Sequence, residues 1–170
     1  MDRPVNFLFV GLVHPHKGCA SLLKAFEHIP VKDGSLTLVG RLEVPARTFR
    51  RYSDRVNYVG SVPRSEVVKY FVDADCFIFP SLFEGSALVL HEAAAAGLGI
   101  IQSAYSGDGV RGGRNGEILD EVDSARLVSA VRSIIADPER LTAWQEASWA
   151  MREERSWKRY REHIRDLIST

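Results

Sequence analysis

The chain has 170 residues, with 22 basic side chains against 22 acidic, 45% hydrophobic and 26% charged, a make-up that excludes disordered and collagen-like classes. A chain of this size buries roughly 70% of the surface its unfolded form exposes, so a core forms without a disulfide scaffold. Zero net charge excludes a global pull toward nucleic acid or anionic membrane, and Cys19 and Cys76 lack CxxC or His/Cys ligand spacing, which points to a reducing cytosol and no metal site.

Met1-Asp2-Arg3-Pro4 leads into the apolar Val5 to Val13 without a signal-cleavage pattern. No apolar run approaches the roughly 18 residues a membrane span requires, so a cytoplasmic location is expected. Short apolar runs bounded by turn residues then alternate with segments of helical period. Strands are predicted at Val5 to Val10, Leu36 to Val39, Val56 to Val59, Cys76 to Phe79 and Leu98 to Gln102, with a short sixth at Glu117 to Leu119. Helices are predicted at Cys19 to His28, Ser65 to Asp73, Leu88 to Gly97 and Ser124 to Ala136, and more weakly at Glu43 to Tyr52. After Asp137-Pro138 the pattern is helical to the end, with Trp144, Trp149 and Trp157 spaced as packing anchors and Arg152 to Arg155 as a solvated charge run. Strands that are apolar on both faces, alternating with helices, specify a Rossmann-like doubly wound α/β sheet, mostly parallel, of about six strands with helices on both faces and a helical tail. No linker or repeat interrupts it, so one domain over 1–170 is expected.

Three strand ends run into glycine: Val10-Gly11, Val39-Gly40 and Val59-Gly60. The carboxyl ends of the strands form the binding crevice of a doubly wound sheet, and glycine there lets a ligand approach the backbone or makes a tight turn. The turn Gly11 to Gly18 places Lys17 just before a helix N-terminus, where an ammonium, free amides and the helix dipole together suit phosphate, although the spacing is not a Walker A. His14 and His16, without a third ligand nearby, read as loop residues. After the fourth strand, Glu84 sits in the edge loop and Glu92 about one turn inside an Ala/Leu/Val-rich helix, on a face expected to be mostly buried. A carboxylate there needs ligand hydroxyls or a neighbouring arginine. Ser106 to Gly116 holds five glycines and either wraps a polar ligand or forms a mobile surface loop. The basic run Arg41, Arg47, Arg50, Arg51 and Arg55 reads as a solvated helix face.

FVG…KG, LTLVG, VNYVGSVPRSEVVKYFVDADCFIFPSLFEGSALVLHEAAAAGLGIIQS, NGEIL and SWKRY follow one another in an order that resembles the C-terminal domain of the family 4 (group 1) retaining glycosyltransferases of the GT-B fold. The likeness runs over nearly the whole chain, and Glu84-x7-Glu92 between a Pro-Ser strand end and an Ala-Ala-x-Gly helix end is its most specific part. It implies a nucleotide-sugar donor site in which Lys17 holds the pyrophosphate, Glu84 contacts sugar hydroxyls and Glu92 accepts from the ribose. It further implies that Gly11 and Ser86 belong to the donor site, that the amides of Ala87, Leu88 and Val89 meet phosphate, and that the backbone at Ser61 and Val62, with Arg41, borders the base. Lys17 and Glu84 would be the catalytic pair, with no metal, no cofactor, and a UDP-, GDP- or ADP-sugar as substrate. Two departures are visible: Leu12 stands where the family commonly has arginine, and Ser86-Ala87 replaces the usual Phe-Gly. The resemblance covers one half of a two-half enzyme, so an acceptor-binding N-terminal domain is an expected partner, through which alone any peripheral membrane contact would come, and the isolated chain is expected to transfer nothing. The alternative is a non-catalytic nucleotide-sugar-binding module, while a dehydrogenase would need a GxGxxG that the first turn lacks.

Overall fold

A computed structural model describes residues 3–85, 87–152 and 157–168, with the side chains at 46, 48, 157, 158, 160, 163, 164 and 167 excepted. In chain order it forms β1 (Val5–Val10), a 3-10 turn (Pro15–Lys17), α1 (Cys19–Phe26), β2 (Gly34–Val39), α2 (Ala46–Arg50), β3 (Asn57–Gly60), α3 (Arg64–Asp73) and β4 (Cys76–Phe79). The remainder is α4 (Leu88–Ala95), β5 (Gly99–Ser103), β6 (Gly116–Leu119), α5 (Ser124–Ile135), α6 (Pro138–Met151) and α7 (Trp157–Ile168). All six strands lie parallel in one sheet ordered β3-β2-β1-β4-β5-β6. That is the Rossmann-like arrangement: right-handed crossovers running outward in both directions from the β1/β4 pair place α1 and α4 on opposite faces.

The core follows from the sequence pattern. β4 and β5 are buried at every position, as strands covered on both faces must be. Helix α1 turns Cys19, Leu22, Leu23, Ala25 and Phe26 inward, and Phe26 meets Phe7 of β1 edge-on. On the other face Phe71 of α3 packs on Phe77. Asp123 and Asp137 cap α5 and α6 by accepting from the Arg126 and Arg140 amides at 2.7 and 2.9 Å. Helix α6 crosses the amino-terminal end of the sheet, where Gln145 donates to the Asp75 carbonyl at 3.0 Å and Ser148 to that of Leu98 at 2.7 Å. At the same end the buried Asp75 carboxylate takes both guanidinium nitrogens of Arg3 at 2.7 Å.

Several expectations are corrected. The weaker helix shrinks to the short α2, because Pro45 and the following turn leave room for little more than one turn. β3 is not apolar on both faces: as an edge strand it is exposed at Asn57 and only half-buried beyond. Trp144 is buried, but Trp149 is largely exposed with its ring under the Arg152 guanidinium; the side chain of Trp157 and residues 153–156 of the charge run lie outside the described residues.

Candidate functional site

The sheet order reverses between β1 and β4, and the loops leaving those two strands meet. The loop after β1 closes into the 3-10 turn, with His14 Nδ1 accepting from the His16 amide at 3.1 Å and Gly18 ending it in the left-handed region at φ 69°. A Cβ on Gly18 would lie 2.0 Å from the Pro80 carbonyl oxygen, so glycine is what allows the turn to seat on the end of β4. The Leu82 amide then donates to the His16 carbonyl at 2.9 Å. This docking carries the Lys17 ammonium into a salt bridge with Glu84 and to 5.8 Å from the Phe79 ring centroid. The two side chains are 24% and 12% exposed. An ion pair so withdrawn from water adds little net stability, because desolvation offsets most of the Coulomb gain.

Glu84 is fixed from two further sides. Its amide donates to the Tyr105 carbonyl at 3.1 Å, and its carboxylate accepts from the Ser81 hydroxyl at 2.8 Å. Ser81 is fully buried; in the sequence it only marked the Pro-Ser strand end and carried no role, since within such a dipeptide nothing distinguishes it from a turn residue.

The other expected residues divide into groups. Glu92 is not buried as expected: its side chain is 41% exposed and meets Arg64, itself 88% exposed, at 3.0 Å. It lies on the flank of α4, whose inward positions are Leu90, Ala93 and Ala94, and it faces the β3–α3 junction that contains Ser61 and Val62. Among the described residues no side chain caps the N-terminus of α4 at Ala87, so none of them takes the leading amides of Leu88 and Val89. Ser86 lies outside the described residues. Gly11 continues the ladder by donating to Val39, and a Cβ on Gly40 would fall 1.9 Å from the Gly11 carbonyl oxygen. Arg41 points outward and pairs with Glu43, while its carbonyl accepts from Val13. The structure therefore brings Lys17 to Glu84 and Glu92 to Arg64 at the start of α3, but it does not bring the Arg41 guanidinium to either.

The glycine-dense loop is anchored rather than mobile. Gln102, buried in β5, donates to the Gly107 carbonyl at 2.6 Å and accepts from the Val110 amide at 2.9 Å. Buried Asn115 accepts from the Arg111 amide at 2.9 Å and donates to the Gly109 carbonyl at 3.2 Å. Among the described residues, no three His, Cys, Asp or Glu side chains gather as metal ligands, and no helix is long and apolar enough to cross a membrane. Burial pushes the Cys19 thiol up to about 12 and that of Cys76 up as well, so both are protonated at neutral pH.

With this geometry in hand, the family model described as "Glycosyl transferases group 1" matches residues 4–137. The chain belongs to the group 1 glycosyltransferases. Among similar proteins is the GDP-mannose-dependent alpha-(1-6)-phosphatidylinositol monomannoside mannosyltransferase of Mycolicibacterium smegmatis, 28% identical over 99% of this chain and 48% of that protein. Anabaena HepE, solved in complex with UDP, superposes with a TM-score of 0.83 at 20% identity, over 99% of this chain and 49% of its own. The C-terminal domain of the Francisella tularensis group 1 glycosyltransferase LpcC superposes with a TM-score of 0.75 at 14% identity, over 89% and 85% of the two chains. This group 1 glycosyltransferase chain thus spans about half the length of the first two proteins and has the fold of a GT-B C-terminal half.

Proposed function

We propose that the chain is the donor-binding half of a retaining, metal-independent glycosyltransferase, taking a nucleotide-sugar at the crevice between β1 and β4. The observation that carries this reading is the meeting of Lys17 and Glu84 at the switch point, a cation and a carboxylate held from two strand ends in a spot with little stability to gain from them. A bound diphosphate replaces Glu84 as the partner of the Lys17 ammonium. The start of α4, which no described side chain caps, offers it further amides and the positive end of a dipole. Both groups favour the charge that builds on the diphosphate as the sugar leaves, which is stabilisation without a metal. Glu84, released from the ammonium, accepts from sugar hydroxyls. Glu92 accepts from the ribose, and its exposed pairing with Arg64 resists by less than about 1 kcal/mol. The base rests on the backbone of Ser61 and Val62, an arrangement that suits UDP, GDP or ADP alike. The mannosyltransferase that uses GDP-mannose and the HepE complex with UDP support a nucleotide-linked donor. The acceptor, a glycan, a lipid or another cell-surface precursor, is held by an N-terminal half.

A second reading, a non-catalytic nucleotide-sugar-binding module, is favoured by Leu12, an exposed apolar side chain where family members commonly place a second phosphate cation. Calorimetric titration of the chain with UDP, GDP and ADP tests the common core of both. Binding of one of them, weakened roughly tenfold or more in Lys17→Ala, is the expected result. Equal affinities in wild type and Lys17→Ala would remove the diphosphate from Lys17.

A further inference from the structure

Beneath Glu84 lies a chain of buried hydroxyls that the donor-site assignment leaves unused. Ser81, Ser103 and Ser106 are all fully buried, and they come from the end of β4, the end of β5 and the loop beyond it. Ser103 Oγ donates to the Ser81 carbonyl, lies 2.6 Å from Ser106 Oγ, and Ser106 Oγ is 2.9 Å from the Phe79 carbonyl oxygen. Above them, Ser81 Oγ has three acceptors in reach: Glu84 Oε1 at 2.8 Å and the carbonyls of His16 and Phe83, each at 3.3 Å. A hydroxyl carries a single proton, and the shortest, charge-assisted contact takes it, so the proton goes to Glu84. The carboxylate oxygen that accepts it, Oε1, is the one paired with Lys17. A buried polar group is retained only where it is satisfied, and here the satisfied group is aimed at the one side chain that must turn between cation and ligand.

We propose that Ser81, braced by Ser103 and Ser106, is a positioning residue that sets the Glu84 carboxylate against Lys17 and thereby tunes recognition of the donor's sugar. The nucleotide's recognition does not depend on it. This rests on the donor-site reading, with Glu84 on the sugar and Lys17 on the diphosphate. When the sugar's hydroxyls draw Glu84 away from the ammonium, the Ser81 hydroxyl keeps one carboxylate oxygen in register; turning instead to the His16 or Phe83 carbonyl would let the loop relax.

Two measurements on Ser81→Ala test this, with Ser103→Ala as the milder variant should the first fold poorly. Without ligand, the Lys17 ammonium is expected to give a slowly exchanging signal in lysine-selective nitrogen NMR of the wild type. In both serine variants it broadens toward the behaviour seen in Glu84→Gln, while amide shifts elsewhere stay put. With ligand, calorimetry compares the nucleoside diphosphate that binds with its sugar-linked form. The affinity gained from the sugar falls roughly tenfold in Ser81→Ala, and the affinity for the bare diphosphate does not. A merely structural serine would lower both affinities together or leave both alone, and either result overturns the proposal, as does a wild-type-like Lys17 signal in the two variants. If the Lys17 signal responds as stated but even the wild type binds no nucleotide or nucleotide-sugar, the positioning of Glu84 stands and the donor-site reading falls.

Discussion

Gly18 bears a tight constraint at the site. Alanine there would need both a left-handed backbone and a Cβ 2.0 Å from the Pro80 carbonyl oxygen, so the turn must lift away from β4. Gly18→Ala is expected to destabilise by about 2 kcal/mol or more, above the cost of ordinary glycine replacements, and to loosen Lys17 from Glu84. A thermal melt and nucleotide affinity check the two halves of that statement. The buried thiols give a pH signature. Burial raises their folded-state values, so the folded protein holds these protons more tightly than the unfolded chain does. Their contribution is whole below about pH 8.5 and is lost as pH climbs toward 12. Over that interval denaturation should show stability falling by about 1.4 kcal/mol per pH unit for each thiol, and a Cys19→Ala, Cys76→Ala variant should lose that slope. Lys17 and Glu84 were legible in the sequence because a charge beside a predicted strand end already has an address in a doubly wound sheet. Ser81 was not, since its importance arises only when β4, β5 and the turn after β1 converge.

Among the elements, the β5–β6 connection shows where composition misleads. Five glycines allow either a ligand cradle or a loose loop, and composition does not decide between them. The decision lies in Gln102 and Asn115, buried amides that use both ends of their side chains on loop backbone. Gln102 passed unread as the end of a predicted apolar strand, although a polar residue there fits a buried group with a fixed partner. Gln102→Ala leaves the Val110 amide and Gly107 carbonyl without that partner. It should cost about 1–3 kcal/mol and speed hydrogen exchange at 107–113 well beyond the rest of the sheet. Strand and helix order was readable throughout from apolar period. Their ends were less so, because α1 and α4 stop two residues short of the predicted ends where turn bonds replace helical ones, and α2 lacked the length for its pattern to declare itself. Glu92 was misjudged for a related reason: an Ala-rich helix reads as buried all round, whereas α4 buries one side and leaves a flank to meet Arg64.

For the whole molecule, the sheet order puts the candidate site on an open edge. Lys17, Glu84, the start of α4 and the β3–α3 junction ring the carboxyl ends of β1, β3 and β4, where Leu88 opens α4 exposed and the exposed Leu12, Leu82, Phe83 and Tyr105 belong to loops on that same edge. Excluding water from the reacting sugar needs a second wall, and the similar mannosyltransferase and HepE are each about twice as long as this chain. The chain alone is therefore expected to bind donor without transferring sugar, and transfer should appear only when an acceptor-binding half is joined to it, unaffected by a metal chelator. Measurable transfer by the isolated chain would contradict this. On the proposed reading the nucleotide and the acceptor were not legible in the sequence because the first would be read by backbone and the second by residues of another half.

The function proposed for this edge depends on where a nucleotide sits. The most direct measurement is to follow the backbone amide shifts of the chain during titration with the nucleoside diphosphate it binds. Perturbations confined to 11–18, 61–64 and 84–92, with the amides at the start of α4 moving most, are predicted. Shifts centred instead on the amino-terminal end of the sheet, around Asp75 and α6, would place the ligand elsewhere and contradict the assignment of this edge as the donor site.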